Sequence, residues 1–138
     1  MTPTLLGRWQ TRLVMLITLG LIVTLVFYAL TRDLAFLAVL AYVFLFGVLW
    51  DVLWTLLLKL RWERDWPAAF QVGTAIVEGA WLYALIALVG LPMVEKGAVG
   101  FGVFLAQYGL VWLVTFSWVQ GPMRTLVPRW RYHGGRFV

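Results

Sequence analysis

Cysteine is absent from this 138-residue chain, and histidine occurs once, as His133. Without cysteine the protein has no disulfide, no thiolate nucleophile and no thiolate metal ligand. A single histidine also leaves no multi-histidine metal site and no Ser-His catalytic pair within the apolar segments. We therefore expect a protein that is not an enzyme and that holds no metal and no cofactor.

Charge is also scarce, since charged residues make up 12% of the chain and hydrophobic residues 63%. Soluble domains usually carry about 25% charged residues, so this composition is typical of a protein that lies mostly in lipid. Four apolar runs are each long enough to cross a hydrocarbon core of about 30 Å, which takes about 20 helical residues. They cover residues 13–30, 34–58, 68–91 and 98–119.

The connections between these runs are short, and there is no room for a soluble domain. We predict an all-α polytopic membrane protein with four transmembrane helices in an up-down bundle, forming one domain over residues 1–138. The first run could be mistaken for a secretory signal. It is longer than the apolar part of a typical signal, and no clear small-x-small cleavage site follows it, so we expect a retained helix.

Lysine and arginine are distributed unevenly between the two ends of the predicted helices. Short cytoplasmic loops are enriched in these residues, and nine fall on the side that carries both termini, against two on the other side. We therefore predict that both termini are cytoplasmic. The two basic residues on the predicted outer side are Arg32 and Lys96, each beside an acid. The nine on the predicted cytoplasmic side are Arg8, Arg12, Lys59, Arg61, Arg64, Arg124, Arg129, Arg131 and Arg136.

Two acids, Asp51 and Glu78, lie inside the second and third apolar runs. At 1.5 Å per residue they lie about 12 Å and roughly 15 Å from the predicted cytoplasmic boundary. Consecutive helices joined by a short loop usually pack together, so we expect the two carboxyl groups to meet. Gln71 and Thr74 share a face of the third helix with Glu78 and extend this polar locus.

An ionised carboxylate alone at this depth would cost several kcal/mol. No lysine or arginine falls inside the runs at matching depth, although Lys59 could reach back along its own helix. The sequence therefore favours a proton shared by Asp51 and Glu78, and a basic residue from a partner chain would also satisfy them. The pair is either a polar clasp that fixes helices and partners, or a site for protons or a small cation.

Small residues form a second pattern, nearly opposite the polar face of the third helix. Such residues permit close approach of helix backbones in a membrane, so we predict a tight contact between the third and fourth helices. The residues concerned are Gly73, Ala80 and Ala84 in the third run and Gly102, Ala106 and Gly109 in the fourth.

Residues 121–138 form a basic aromatic tail whose two prolines should interrupt any continuous helix. Arginine with aromatic side chains suits the anionic headgroups of the lipid bilayer, and docking onto a larger membrane complex is the alternative. A short segment tethered to a membrane is a poor fit to nucleic acid, so we expect none. The residues predicted for this lipid or partner surface are Arg124, Arg129, Trp130, Arg131 and Arg136.

These patterns favour a small non-catalytic membrane subunit that assembles with itself or with a larger membrane complex. The alternative is a small oligomeric proton- or cation-coupled transporter or channel that uses Asp51 and Glu78. A solute path needs polar groups across the whole membrane, and the predicted outer halves of the first three helices are almost wholly apolar. The subunit is therefore the leading hypothesis.

Overall fold

The computed structural model describes residues 3–63 and 65–138 of the chain. Within these ranges every regular element is helical, and four helices are long and apolar enough to cross a membrane. The all-α class and the four candidate spans are thereby confirmed. Arg64, assigned above to the cytoplasmic side, lies outside the described residues. The long helices, named α1 to α4 in chain order, are Leu5–Thr31, Ala35–Leu60, Ala68–Leu88 and Phe101–Gln120.

Helix α1 differs most from its prediction, because it begins about two turns before the apolar run that starts at Leu13. The hydroxyl of Thr4 caps the helix by accepting a hydrogen bond from the Gly7 N–H at 3.1 Å. A π-helical segment, Leu16–Gly20, interrupts the α-helical geometry further along. Because the early polar turns belong to the helix, Arg12 lies inside α1.

The other long helices begin and end within a few residues of the predicted bounds. The Oδ1 of Asp33 accepts a hydrogen bond from the Ala35 N–H at 2.9 Å and so caps the first turn of α2. Pro67 directly precedes α3, where its fixed φ suits entry into a helix. The connection from α3 to α4 turns at Gly90, whose φ of 81° favours glycine.

An apolar core joins the beginning of α2, the end of α3 and the beginning of α4, and includes Val39, Ile86 and Phe104. One turn after Phe104, Gln107 is 1% exposed, and its Nε2 donates a hydrogen bond to the Phe36 carbonyl oxygen at 2.8 Å. The beginning of one long helix thus lies beside the end of the next. Many large apolar side chains elsewhere are exposed, which suits helices whose outer surface contacts acyl chains.

Residues 121–138 fold back against the first turns of α1. The side chain of Trp130 packs with Met15 and Met123, and its indole Nε1 donates a hydrogen bond to the Thr11 Oγ1 at 2.8 Å. Two short helices that each begin with proline lead the chain to this position. They are α5, Pro122–Leu126, and α6, Pro128–Tyr132.

This docking corrects the prediction for Trp130, which is 2% exposed and therefore does not lie on a lipid or partner surface. The reason is that the ring finds an apolar site on α1 and its N–H finds an acceptor within the chain. The arginines predicted for the same surface are exposed. They are Arg124, Arg129, Arg131 and Arg136.

Glycine is required where the tail crosses α1. The Thr4 N–H donates a hydrogen bond to the Gly134 carbonyl oxygen at 2.9 Å. Gly7 faces the same carbonyl group, and a β-carbon at Gly7 would overlap its oxygen. Gly134 and Gly135 have φ values of 63° and 87°, in the left-handed region that glycine adopts without strain. The two ends of the chain are thus joined backbone to backbone.

Within one chain, the small residues of α3 and α4 do not form the predicted tight contact. A β-carbon added at Gly73, Gly102 or Gly109 would meet nothing within 4 Å. Ala80 and Ala106 are exposed, whereas Ala84 is half-buried.

The close contact between α3 and α4 lies instead at Gly79, which faces the ring of Tyr108. The Tyr108 hydroxyl donates a hydrogen bond to the Ala75 carbonyl oxygen at 2.7 Å. Helix α3 takes this rotation because Glu78, next to Gly79, is held towards α1 and α2. The face that carries Gly73 is therefore turned outward.

Candidate functional site

The guanidinium of Arg12, on α1, lies between the carboxylates of Asp51 on α2 and Glu78 on α3. Its Nε donates to Asp51 Oδ2 at 2.8 Å, and its Nη2 donates to Asp51 Oδ1 at 3.0 Å. Its Nη1 donates to Glu78 Oε2 at 3.1 Å, and Nη2 also reaches Glu78 Oε1 at 3.4 Å. One planar cation thus holds two carboxylates, an arrangement that the fork of arginine donors favours.

This geometry brings Asp51 and Glu78 together and corrects the predicted charge state. A permanently charged base of the same chain satisfies both carboxylates, so no shared proton and no base from another chain is needed. We call Arg12, Asp51 and Glu78 the Arg12 clasp. It connects three of the four long helices.

Local sequence on α2 makes room for the clasp. Gly47 precedes Asp51 by one turn and faces Arg12, and a β-carbon at Gly47 would overlap the guanidinium. Trp54, about one turn after Asp51, donates a hydrogen bond from its Nε1 to Glu78 Oε1 at 2.8 Å. Every carboxylate oxygen of the clasp therefore accepts at least one charged or indole hydrogen bond.

The clasp is shielded from solvent, since the side chains of Asp51 and Glu78 are 4% and 11% exposed and that of Arg12 is 20% exposed. Charges in such a place interact strongly, but each has lost favourable contact with water. With one cation and two anions, the clasp has a formal charge of −1. A further cation nearby would balance it.

Arg8 lies one turn before Arg12 on the same helix and supplies that charge. Its guanidinium carbon lies 4.4 Å from the centroid of the Trp66 ring, within the range of a cation–π contact. The Nε and Nη2 atoms of Arg8 are buried, and neither has a hydrogen-bond partner in the part of the chain that the structure describes. Arg8 thus balances the clasp but keeps unused donors.

A cavity of about 220 Å³ opens beside the clasp and Arg8. Its polar side is formed by these four charged residues, with Gln71 and Thr74 of the predicted polar stripe. Its lining also includes apolar and aromatic side chains of α4 and the tail residues Arg124, Trp130 and Gly135. The α4 side chains include Val111, Trp112, Phe116 and Val119.

Gln71 and Thr74 line the cavity without bonding to the clasp. The Thr74 hydroxyl donates to the Gln71 carbonyl oxygen at 3.0 Å. The Gln71 Oε1 accepts a hydrogen bond from Gln120 Nε2 at 2.5 Å, which joins α3 to the end of α4. The predicted stripe is therefore part of the same cavity, but its hydrogen bonds are separate.

Arg12 and Gly47 are essential to this geometry, and the sequence patterns considered above did not identify either as a site residue. A signal for Arg12 exists in Thr4, a favoured N-cap residue whose position predicts a helix start before Arg12. Gly47 shares a helix face with Asp51. Once Asp51 is known to face protein, Gly47 is expected to lie at the same helix contact.

The chemistry available here is limited, because both carboxylates of the clasp are bound to a guanidinium. Over residues 3–63 and 65–138, no group of three or more His, Cys, Asp or Glu side chains is placed to hold a metal ion. Comparisons with models of protein families, with curated proteins and with solved structures found no match.

Proposed function

We propose that this protein is a small non-catalytic membrane subunit that assembles with itself or with a larger membrane complex. The Arg12 clasp carries the proposal. A proton or cation carrier needs a carboxylate that can gain and lose its cargo, whereas here both Asp51 and Glu78 are held by a guanidinium that stays charged. The clasp serves to hold three helices in register.

The proposed arrangement is an up-down bundle with both termini in the cytoplasm. Contacts between the beginning of α1 and the end of α2 support it, namely Arg12 with Asp51 and Trp9 with the Val48 carbonyl oxygen at 3.2 Å. The hydrogen bond between Thr4 and Gly134 supports a common side of the membrane for both ends of the chain. That side carries the exposed tail arginines, in agreement with the positive-inside rule.

The outward face of α3 and α4 supports assembly. Gly73 and Gly102 have open space beyond them, and Ala80 and Ala106 are exposed. In a membrane such small residues let a second helix approach closely and gain van der Waals contact. This face therefore suits contact with another copy or another subunit better than contact within the chain.

Assembly can be tested by extracting the tagged protein from its native membrane in lipid nanodiscs and measuring the mass and protein content of the particles by mass spectrometry. A homo-oligomer or a stoichiometric foreign subunit is expected. Gly73→Leu with Gly102→Leu should release the partner, while Ala41→Leu, also on an exposed helix position, should not. Monomers without any protein partner in the unaltered sample would overturn the proposal.

The cavity favours one second candidate, the proton- or cation-coupled transporter, because Asp51 and Glu78 both line it. This candidate requires pH- or cation-dependent flux through purified protein in vesicles. Flux that Glu78→Gln abolishes, while the folded fraction stays unchanged, would establish it in place of the subunit. No flux above protein-free vesicles is the result expected here.

A further inference from the structure

The charges around the cavity do not balance. Five charged side chains line it: Arg8, Arg12 and Arg124 are cationic, and Asp51 and Glu78 are anionic. The carboxylates are used by Arg12 and by the indole of Trp54. One positive charge is therefore left over at the cavity.

Arg8 is the residue with unused hydrogen-bonding capacity. Its Nε and Nη2 are buried without an acceptor among the described residues. The ring of Trp66 attracts the charge at 4.4 Å but has no lone pair to accept an N–H in a conventional hydrogen bond. Its third nitrogen, Nη1, is not among these buried atoms, and Arg8 lines the cavity. A half-buried guanidinium with unused donors pairs best with the oxygens of a phosphate or carboxylate.

The remainder of the cavity is suited to an apolar group. Val111, Phe116 and Val119 of α4 line the same cavity as the charged residues, together with Trp112. Ligand sites commonly combine such apolar walls with a few polar groups that fix orientation. A bound molecule would therefore need an anionic end and an apolar end.

We propose that this cavity binds one acyl lipid through a single oxyanion, either the phosphate of an anionic phospholipid or the carboxylate of a fatty acid. Arg8 holds the oxyanion, Arg124 adds positive charge at the same cavity, and the α4 side chains contact the acyl chain. One monoanion brings the charge of the cavity lining to zero. The site does not depend on the subunit role proposed above.

The test uses the full chain, purified in neutral detergent and stripped of lipid, with native mass spectrometry counting bound lipid. The four probes are phosphatidylglycerol, oleate, phosphatidylcholine and inorganic phosphate. We expect one phosphatidylglycerol or oleate per chain, bound about tenfold or more tightly than phosphatidylcholine. Whether phosphatidylglycerol or oleate binds more tightly identifies the preferred oxyanion.

Arg8→Gln should weaken binding of the anionic lipid about tenfold, because it removes the charge and its paired donors. Arg32→Gln is the matched control, since Arg32 is an exposed arginine between α1 and α2 that does not line the cavity. The control should bind like the unaltered chain.

Equal binding of phosphatidylglycerol and phosphatidylcholine would overturn the proposal, as would an Arg8→Gln variant that binds normally. If inorganic phosphate binds as tightly as the lipid, the cavity is a site for free anions, and the proposed contact with an acyl chain is wrong. If Arg8→Gln fails to fold, Arg124→Gln replaces it, since Arg124 is exposed at the cavity. Unchanged affinity in Arg124→Gln would then reject the site.

Discussion

Gly47 on α2 faces the Arg12 guanidinium so closely that even a β-carbon at that position would overlap it. The clasp therefore depends on a position without a side chain. Gly47→Ala should displace Arg12 from Asp51 and lower the free energy of unfolding by about 1–3 kcal/mol, the range for overpacking a filled site. Thermal unfolding in detergent, followed by tryptophan fluorescence, measures this.

Gly73→Ala is the control for that substitution, because a β-carbon at Gly73 has nothing within 4 Å. It should leave the unfolding temperature unchanged or raise it slightly, since alanine favours a helix over glycine. Equal effects of the two substitutions would contradict the role assigned to Gly47.

Removing the base from the clasp should be more harmful than removing one acid. Arg12→Gln leaves Asp51 and Glu78 buried and facing each other, and loss of one side of a buried ion pair costs about 3–5 kcal/mol. Asp51→Asn leaves Arg12 paired with Glu78 in a neutral arrangement and should cost less. Denaturant unfolding measures the loss of unfolding free energy in both variants. A smaller loss in Arg12→Gln than in Asp51→Asn would contradict the role of the clasp.

Trp130 should determine whether the tail stays docked on α1. Trp130→Ala removes a 2% exposed ring and its bond to Thr11, a change that costs about 3–5 kcal/mol at a buried site. Limited proteolysis should then cut the tail much faster than in the unaltered protein. Arg129→Ala, at an exposed neighbouring position, should be cut at the original rate.

Gly79 and Gly102 should respond differently to the same substitution. Gly79→Leu would collide with the Tyr108 ring and is expected to destabilise the folded chain itself. Gly102→Leu meets open space within the chain, so it should spare the fold and affect only association. Unfolding temperature in detergent, compared with particle mass in nanodiscs, separates these outcomes.

The four long helices could be predicted because each carries a long and mostly apolar run, and lipid makes such a run a strong signal. The same signal gave the wrong start for α1. Its first turns contain Arg8 and Arg12 and are helical because of the Thr4 cap and the tail packed against them. A criterion based on apolar length cannot detect polar helical turns of this kind.

The meeting of Asp51 and Glu78 follows from their similar depth on consecutive helices, but the identity of their base does not. It depends on where α1 begins and on the space left at Gly47. Helix rotation was equally hard to predict, because α3 has both a polar and a small-residue face. Which face turns inward depends on contacts among the helices, such as that of Gly79 with Tyr108.

The docking of the tail on α1 has a consequence for synthesis. A chain is made from its N-terminal end, so the tail residues that line the cavity emerge from the ribosome after all four long helices. Until Trp130 and Gly135 arrive, the end of the cavity that they line stays incomplete. The nascent chain thus passes through a stage in which its four long helices exist and the cavity beside Arg8 and Arg12 still lacks the part of its lining that the tail supplies.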